Sequence, residues 1–101
     1  MDIDQSDITE LFKRAFEETL DEIPLVARGF NNGVLKKNQI QNEMDFYIGY
    51  TIAMIKERFL LYAQEERFPS EKVRIALPSV IDDTFKKIDL IRNTIREELT
   101  T

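Results

Sequence analysis

Apolar side chains recur at steps of three and four along three stretches of the chain. In the first, Ile8, Leu11, Phe12, Ala15, Phe16, Leu20 and Ile23 fall on one stripe of a 3.6-residue helix, with Glu10, Lys13, Arg14, Glu17, Glu18 and Asp21 opposite. Asp7 opens it, and Glu10 three residues on has the spacing of a capping box. Pro24 disfavours the α conformation at Ile23. The spacing therefore predicts a helix over about 7–23.

The second stretch starts near Asn38, with Gln41 three residues on, and meets no breaker until about Arg67. One stripe holds Ile40, Met44, Tyr47, Ile48, Thr51, Ile52, Ile55, Phe59, Tyr62 and Ala63. A second, on the other side, holds Phe46, Tyr50, Ala53, Met54, Leu60 and Leu61. A helix apolar on two faces must be covered on both. Gly49 sits between the stripes, where glycine costs up to ~1 kcal/mol against alanine unless another helix approaches closely.

The third stretch begins after Pro78, at Ser79, with Asp82 and Asp83 in the first turn where the helix dipole favours negative charge. Its stripe is Ile81, Phe85, Ile88, Ile91, Ile95 and Leu99, and Leu90 lies off it. Between the second and third stretches, residues 72–77 alternate polar and apolar like a strand. The sequence offers no convincing partner strand, and Pro69-Ser70-Glu71 in front favours a short helix over 70–77. Together these patterns predict an all-α bundle in a single domain, 1–101, with main helices at about 7–23, 38–67 and 79–99.

Length makes the central helix the informative one. Thirty residues of helix run ~45 Å, whereas a compact chain of 101 residues has a diameter of roughly 34 Å, taken as a sphere. Shorter neighbours cannot cover both apolar faces of such a helix along its whole length. A second copy of the chain is the expected cover, most simply in a twofold dimer. The expected interface is Phe46, Gly49, Tyr50, Ala53, Met54, Leu60 and Leu61.

Composition narrows the chemistry. The chain is 43% hydrophobic and 33% charged, with a net charge of −5 and neither cysteine nor histidine. Zinc fingers, disulfides, His- or Cys-held haem and histidine-based nucleophile systems are thereby excluded. Oxygen-ligand metals remain. The acidic balance works against nucleic acid and anionic membranes as partners. The acidic start of the chain lacks the basic-then-apolar order of a secretory signal. No apolar run approaches the ~20 residues of a membrane span, and a cytoplasmic location is the default expectation.

Two clusters remain as candidate chemistry. Glu17 and Asp21, and likewise Glu18 and Glu22, are four apart on the first helix, so each pair projects to one side. This cluster resembles the Glu-Glu-x-x-Glu/Asp element of the all-α nucleoside triphosphate pyrophosphohydrolases, the MazG-like family. The resemblance implies a Mg²⁺ site completed by a Glu-x-x-Asp element on the next helix. Here that stretch offers Glu43 and Asp45 two apart, with Asn42 in the glutamate position. Magnesium, and hydrolysis of nucleotides, belong to that alternative alone; the leading expectation has no cofactor and no catalytic residues. Asp2 and Asp4 begin like a calcium loop, but Asp7 and Lys13 occupy its glycine and final glutamate positions.

The other cluster is the loop Arg28 to Val34, where glycines and asparagines suit a tight turn. Phe30, Asn31 and Asn32 are its candidate contact residues, with Phe30 either plugging the core or offered to a partner. Lys86, Lys87, Arg92 and Arg96 form the densest basic patch, the basis of a third reading as a small DNA-binding regulator. The reading the sequence favours is a self-associating helical module for protein–protein interaction or assembly.

Overall fold

The computed structural model describes residues 5–30 and 34–100, and among these the chain is all-α, 88% helical with no strand. The elements are α1 (Gln5–Phe30), α2 (Val34–Lys37), α3 (Glu43–Glu65), α4 (Ser70–Lys86) and α5 (Ile88–Leu99). They pack into a bundle in which α1 and α3 share the largest contact and α5 lies against both. Tyr62 meets Glu18, Arg58 meets Glu22 and Tyr47 meets Ala27, so α1 and α3 run antiparallel. The bundle measures 48 × 23 × 19 Å, with a radius of gyration of 15.1 Å, beyond the ~13 Å of a compact chain this long.

Most of the core is drawn from the predicted stripes, joined by Ala27, Leu35, Val73 and Val80 from outside them. Ile8, Leu11, Phe12, Ala15, Phe16 and Ile23 of α1 are buried, as are Tyr47, Ile48, Ile55, Phe59 and Ala63 of α3 and Ile91 and Ile95 of α5. Three threonines are buried with them. Each satisfies its hydroxyl on its own helix: Thr19 donates to the carbonyl of Ala15, Thr51 to Tyr47 and Thr84 to Val80, at 2.7, 2.8 and 2.8 Å.

Helix boundaries depart from the sequence expectation in three places. The first helix does not stop at residue 23 but continues through Pro24 to Phe30. Beyond the proline it buries Ala27 and half-buries Val26 and Phe30 against the core, and this packing outweighs the local cost of the ring.

The long helix begins at Glu43 rather than near residue 38 and has 23 residues. Gln39 is left-handed, φ 64°, and ends α2. Its amide bonds to the carbonyl of Lys36 at 3.0 Å and that of Ile40 to Leu35 at 2.8 Å, the paired bonds of a Schellman cap. Asn42 is the N-cap instead, its Oδ1 accepting from the Asp45 amide at 2.9 Å. A second Schellman cap closes α3. Arg67 is left-handed at φ 59°, its amide bonds to Gln64 at 3.0 Å, and the Phe68 amide bonds to Ala63 at 2.9 Å.

The expected short helix at 70–77 and the start of the expected helix at 79–99 are one element, α4, which passes through Pro78. The interruption falls at Lys87, whose amide reaches back only to Thr84 at 3.1 Å. Nearby, the Thr84 hydroxyl bonds to the carbonyl one turn back, a contact that bends helices. The Lys87 ammonium lies over the rings of Phe16 and Phe12, 4.8 and 5.6 Å from their centres, tying the bend to α1. Upstream of it the buried row of α4 is Val73, Val80 and Thr84, while Phe85, assigned to the core stripe by spacing, is 50% exposed.

Candidate functional site

The two apolar stripes of α3 meet different surroundings. Tyr47, Ile48, Thr51, Ile55, Phe59 and Ala63 face inward and are buried. The outer residues divide into three groups. At the N-terminal end, Phe46 packs edge-on against Phe30 at 5.0 Å between ring centres, and Phe30 lies 5.5 Å from Tyr50 and 6.3 Å from Tyr47. Phe30 is therefore half-buried as the hub of an aromatic cluster, neither a core plug nor a free side chain. Asn31 and Asn32, like Gly33, Asp2 and Asp4, lie outside the described residues.

At the C-terminal end, Leu60 is half-buried beside a groove of about 430 Å³. Ala63, Phe68, Val73 and Leu77 line it with Leu60 between α3 and α4. In the middle, Gly49 and Ala53 are exposed, Met54 is half-buried and Tyr50 keeps 37% of its surface in solvent, while Leu61, next to Leu60 near the C-terminal end, keeps 49%. A Cβ on Gly49 would meet nothing within 4 Å. Among the described residues, no other helix thus makes the close approach that would account for a mid-helix glycine. Leu25, Ile75 and Leu90 are also exposed, on other helices; single apolar residues of this kind are ordinary surface.

Two of the four clustered carboxylates of α1, Glu18 and Glu22, are engaged by α3. Glu18 accepts from the Tyr62 hydroxyl and pairs with Arg14, whose guanidinium lies 3.9 Å from the Tyr62 ring centre. Glu22 pairs with Arg58, whose second guanidinium nitrogen, Nη1, is buried without a hydrogen-bond partner. Glu17 and Asp21 point to solvent. Glu43 and Asp45 sit in the first turn of α3, where they complement the helix dipole. Because α1 and α3 are antiparallel, that turn lies at the far end of α1 from Glu17 and Glu18. Among the described residues no three Asp or Glu side chains converge in a way that would hold a metal ion. The magnesium reading is left without a ligand set there.

This network went unread in the sequence, although it has a signature. Glu18 and Glu22 are four apart on one helix, Arg58 and Tyr62 four apart on the other, and antiparallel packing matches the two pairs. It also has a pH signature. The hydrogen bond from Tyr62 outweighs desolvation and holds the Glu18 carboxyl below its ordinary 4.5, with Arg14 and Arg58 acting in the same direction. The same bond raises the Tyr62 hydroxyl above its ordinary 10.0. Glu18's contribution to stability is thus present above pH 4.5 and lost as pH falls through its folded value; that of Tyr62 is lost on the alkaline side. Tyr62→Phe keeps the ring beneath Arg14 and removes the donor. Its urea midpoint is expected to fall less than that of the parent between about pH 5 and pH 3. Identical acid limbs would mean that the bond contributes nothing.

The basic patch of the last helices is internally compensated. Lys86 pairs with Asp82 and Asp83 at 3.4 and 3.6 Å, Arg92 with Asp89 at 2.8 Å, and Arg96 bonds to Asn93 at 3.2 Å. Lys87 lies over the two phenylalanine rings. Phosphate contacts would compete with these partners. None of the described helices is long and apolar enough to cross a membrane.

Comparison with protein-family models, with curated proteins and with solved structures finds no match for this chain. The likeness of the α1 carboxylates to the MazG-like element rests on those residues alone.

Proposed function

We propose that the protein is a self-associating helical module, a homodimer that works through protein–protein contact at the outer face of α3. One observation carries the reading: α3 is apolar on both sides, and the described residues of its own chain leave Tyr50, Ala53 and Leu61 along its outer side open to solvent. Covering that strip with a second copy removes apolar surface from water at about 25 cal/mol per Å². It also gives a role to Gly49, beside which the described residues leave open space. Neither the magnesium-dependent hydrolase nor the DNA-binding regulator has a comparable observation in its favour.

Light scattering on the eluting protein tests the proposal. The expected mass is twice the 11.9 kDa of one chain. Ala53→Glu puts a charge in the centre of the strip on an exposed position; it is expected to weaken association by ~100-fold or more while leaving the helical circular dichroism intact. A monomer at high micromolar concentration in the unsubstituted protein would reject the proposal.

A further inference from the structure

Four side chains join α1 to α3 in two rungs. The Tyr62 hydroxyl donates to Glu18, and Arg58 pairs with Glu22. The partners on each helix are four residues apart, so both rungs fit one antiparallel register. Arg14 lies over the Tyr62 ring and also pairs with Glu18. The second rung is costly to build. Arg58 keeps only 20% of its side chain exposed, and its Nη1 is buried without a hydrogen-bond partner. An apolar pair of similar volume would carry no such desolvation penalty.

Several other contacts of α1 tolerate a change of register. Its buried residues and those of α3 recur at steps of three and four. A slip by one turn therefore sets apolar against apolar again, and cores of suitable pattern and volume accept such repacking. Lys87 lies over both Phe12 and Phe16, one turn apart, and keeps one ring beneath it after a slip either way. The rungs discriminate. In one direction Glu18 comes to face Glu66, one turn beyond Tyr62, and two like charges meet. In the other, Glu18 comes to face Arg58, Glu22 is left facing Met54, and the Tyr62 hydroxyl loses its acceptor.

We infer that the two rungs form a register lock, a conformational device that holds α1 in one of the registers its apolar face allows, with Glu22 as the residue on which the choice turns. A polar group kept among apolar neighbours specifies register in this way at a cost in stability. Without the Glu22 carboxylate, Arg58 has no partner in the native register and gains Glu18 in the slipped one. The lock acts on the outer face of α3 as well. One turn of helix is about 5.4 Å, and this slip carries Phe30 past Phe46 and away from Tyr50, to which its ring centre is now 5.5 Å distant. The rungs thereby set how much of that face α1 covers. Nothing in this device depends on self-association.

Nuclear magnetic resonance on three variants tests the lock. The parent is expected to give one set of amide signals and a ring contact between Phe30 and Tyr50. In Glu22→Leu at least about one tenth of the molecules are expected in the slipped register. They are seen as a second set of signals or, because register shifts take microseconds to milliseconds, as relaxation dispersion along α1 and its neighbours. The contact between Phe30 and Tyr50 weakens with it. Glu22→Gln removes the charge at constant side-chain length and is expected to behave alike, which covers a failure of the leucine variant to fold. Glu22→Arg combined with Arg58→Glu restores opposite charges in the native register and sets Glu18 against a like charge in the slipped one. This double variant is expected to return one set of signals and the parent's ring contact.

A single register in both Glu22 variants overturns the inference, because the apolar faces then choose by themselves. Two registers in the charge-reversed pair overturn it too. If neither Glu22 variant folds, the rung is a condition of the bundle rather than a choice between registers, which again overturns it. Register exchange does not change on dilution, whereas exchange between monomer and dimer does. Signals that merge on dilution belong to association and count against the lock.

Discussion

Phe59→Ala is expected to cost about 3–5 kcal/mol of folding stability, among the largest losses from a single side chain. Phe59 is 0% exposed, on the inward row of α3 between Ile55 and Ala63. That helix packs against α1, α4 and α5, so the volume released by the ring is walled by several elements and cannot close by the movement of one. A chain of this size has ~5–15 kcal/mol in total, and the variant is expected to be largely unfolded at moderate urea. The control is Leu61→Ala. Leu61 belongs to the same helix but is 49% exposed, and at subunit concentrations low enough to keep the chain monomeric its loss should stay within ~0.5 kcal/mol. At high concentration the two differ less, because association adds to apparent stability. A Phe59→Ala cost below ~1 kcal/mol would mean that α3 does not turn this face inward.

The inward rows were legible because burial on a helix repeats every 3.6 residues and the chain obeys that period for long stretches. Ile8 to Ile23 and Tyr47 to Ala63 could be assigned from spacing alone. Boundaries were not legible in the same way. Gln39 and Arg67 take left-handed conformations that glycine would have announced. Each is held there by two backbone hydrogen bonds, which no side-chain type signals. Asn38 and Asn42 are the same residue type four positions apart, and only the second caps a helix. The first lies at the end of α2 with its side-chain amide donating to the Val34 carbonyl at 2.8 Å. Phe85 was placed in the core because it keeps step with Ile81 and Ile88. The bend at Lys87 shifts the buried row by one residue, to Val80 and Thr84.

For the candidate site, the sequence identified the second apolar side of α3 but not which part of it the chain covers by itself. That division depends on Phe30 reaching Phe46 and on α4 reaching Leu60, contacts between elements that periodicity does not encode. The acidic cluster shows the converse. Four carboxylates on one helix invite a metal, yet Glu18 and Glu22 are answered by Tyr62 and Arg58 of α3. Those partners become visible only once the antiparallel register is known.

Pro24→Ala and Pro78→Ala are each expected to stabilise the protein by about 2 kcal/mol. Both prolines lie inside helices, at Leu20 and Arg74 plus four, so the carbonyls of those two residues have no amide to accept from at the usual position. A proline in a helix interior costs ~3 kcal/mol through the lost bond and the clash of its ring with the preceding turn. Against this, proline restricts the unfolded chain and so favours folding by up to ~1 kcal/mol; the difference is the expected gain. For a domain of this size it raises the melting temperature by roughly 8–16 °C. The two sites are expected to differ in one respect. Pro78 is exposed, so its replacement loses no packing, whereas Pro24 is half-buried and some of its gain is offset by lost contact. Pro78→Ala should therefore show the larger shift. A fall in melting temperature for Pro24→Ala would mean that the bend it imposes is what brings Ala27 and Phe30 onto the core. Unchanged stability for Pro78→Ala would mean that the Arg74 carbonyl finds its partner in water.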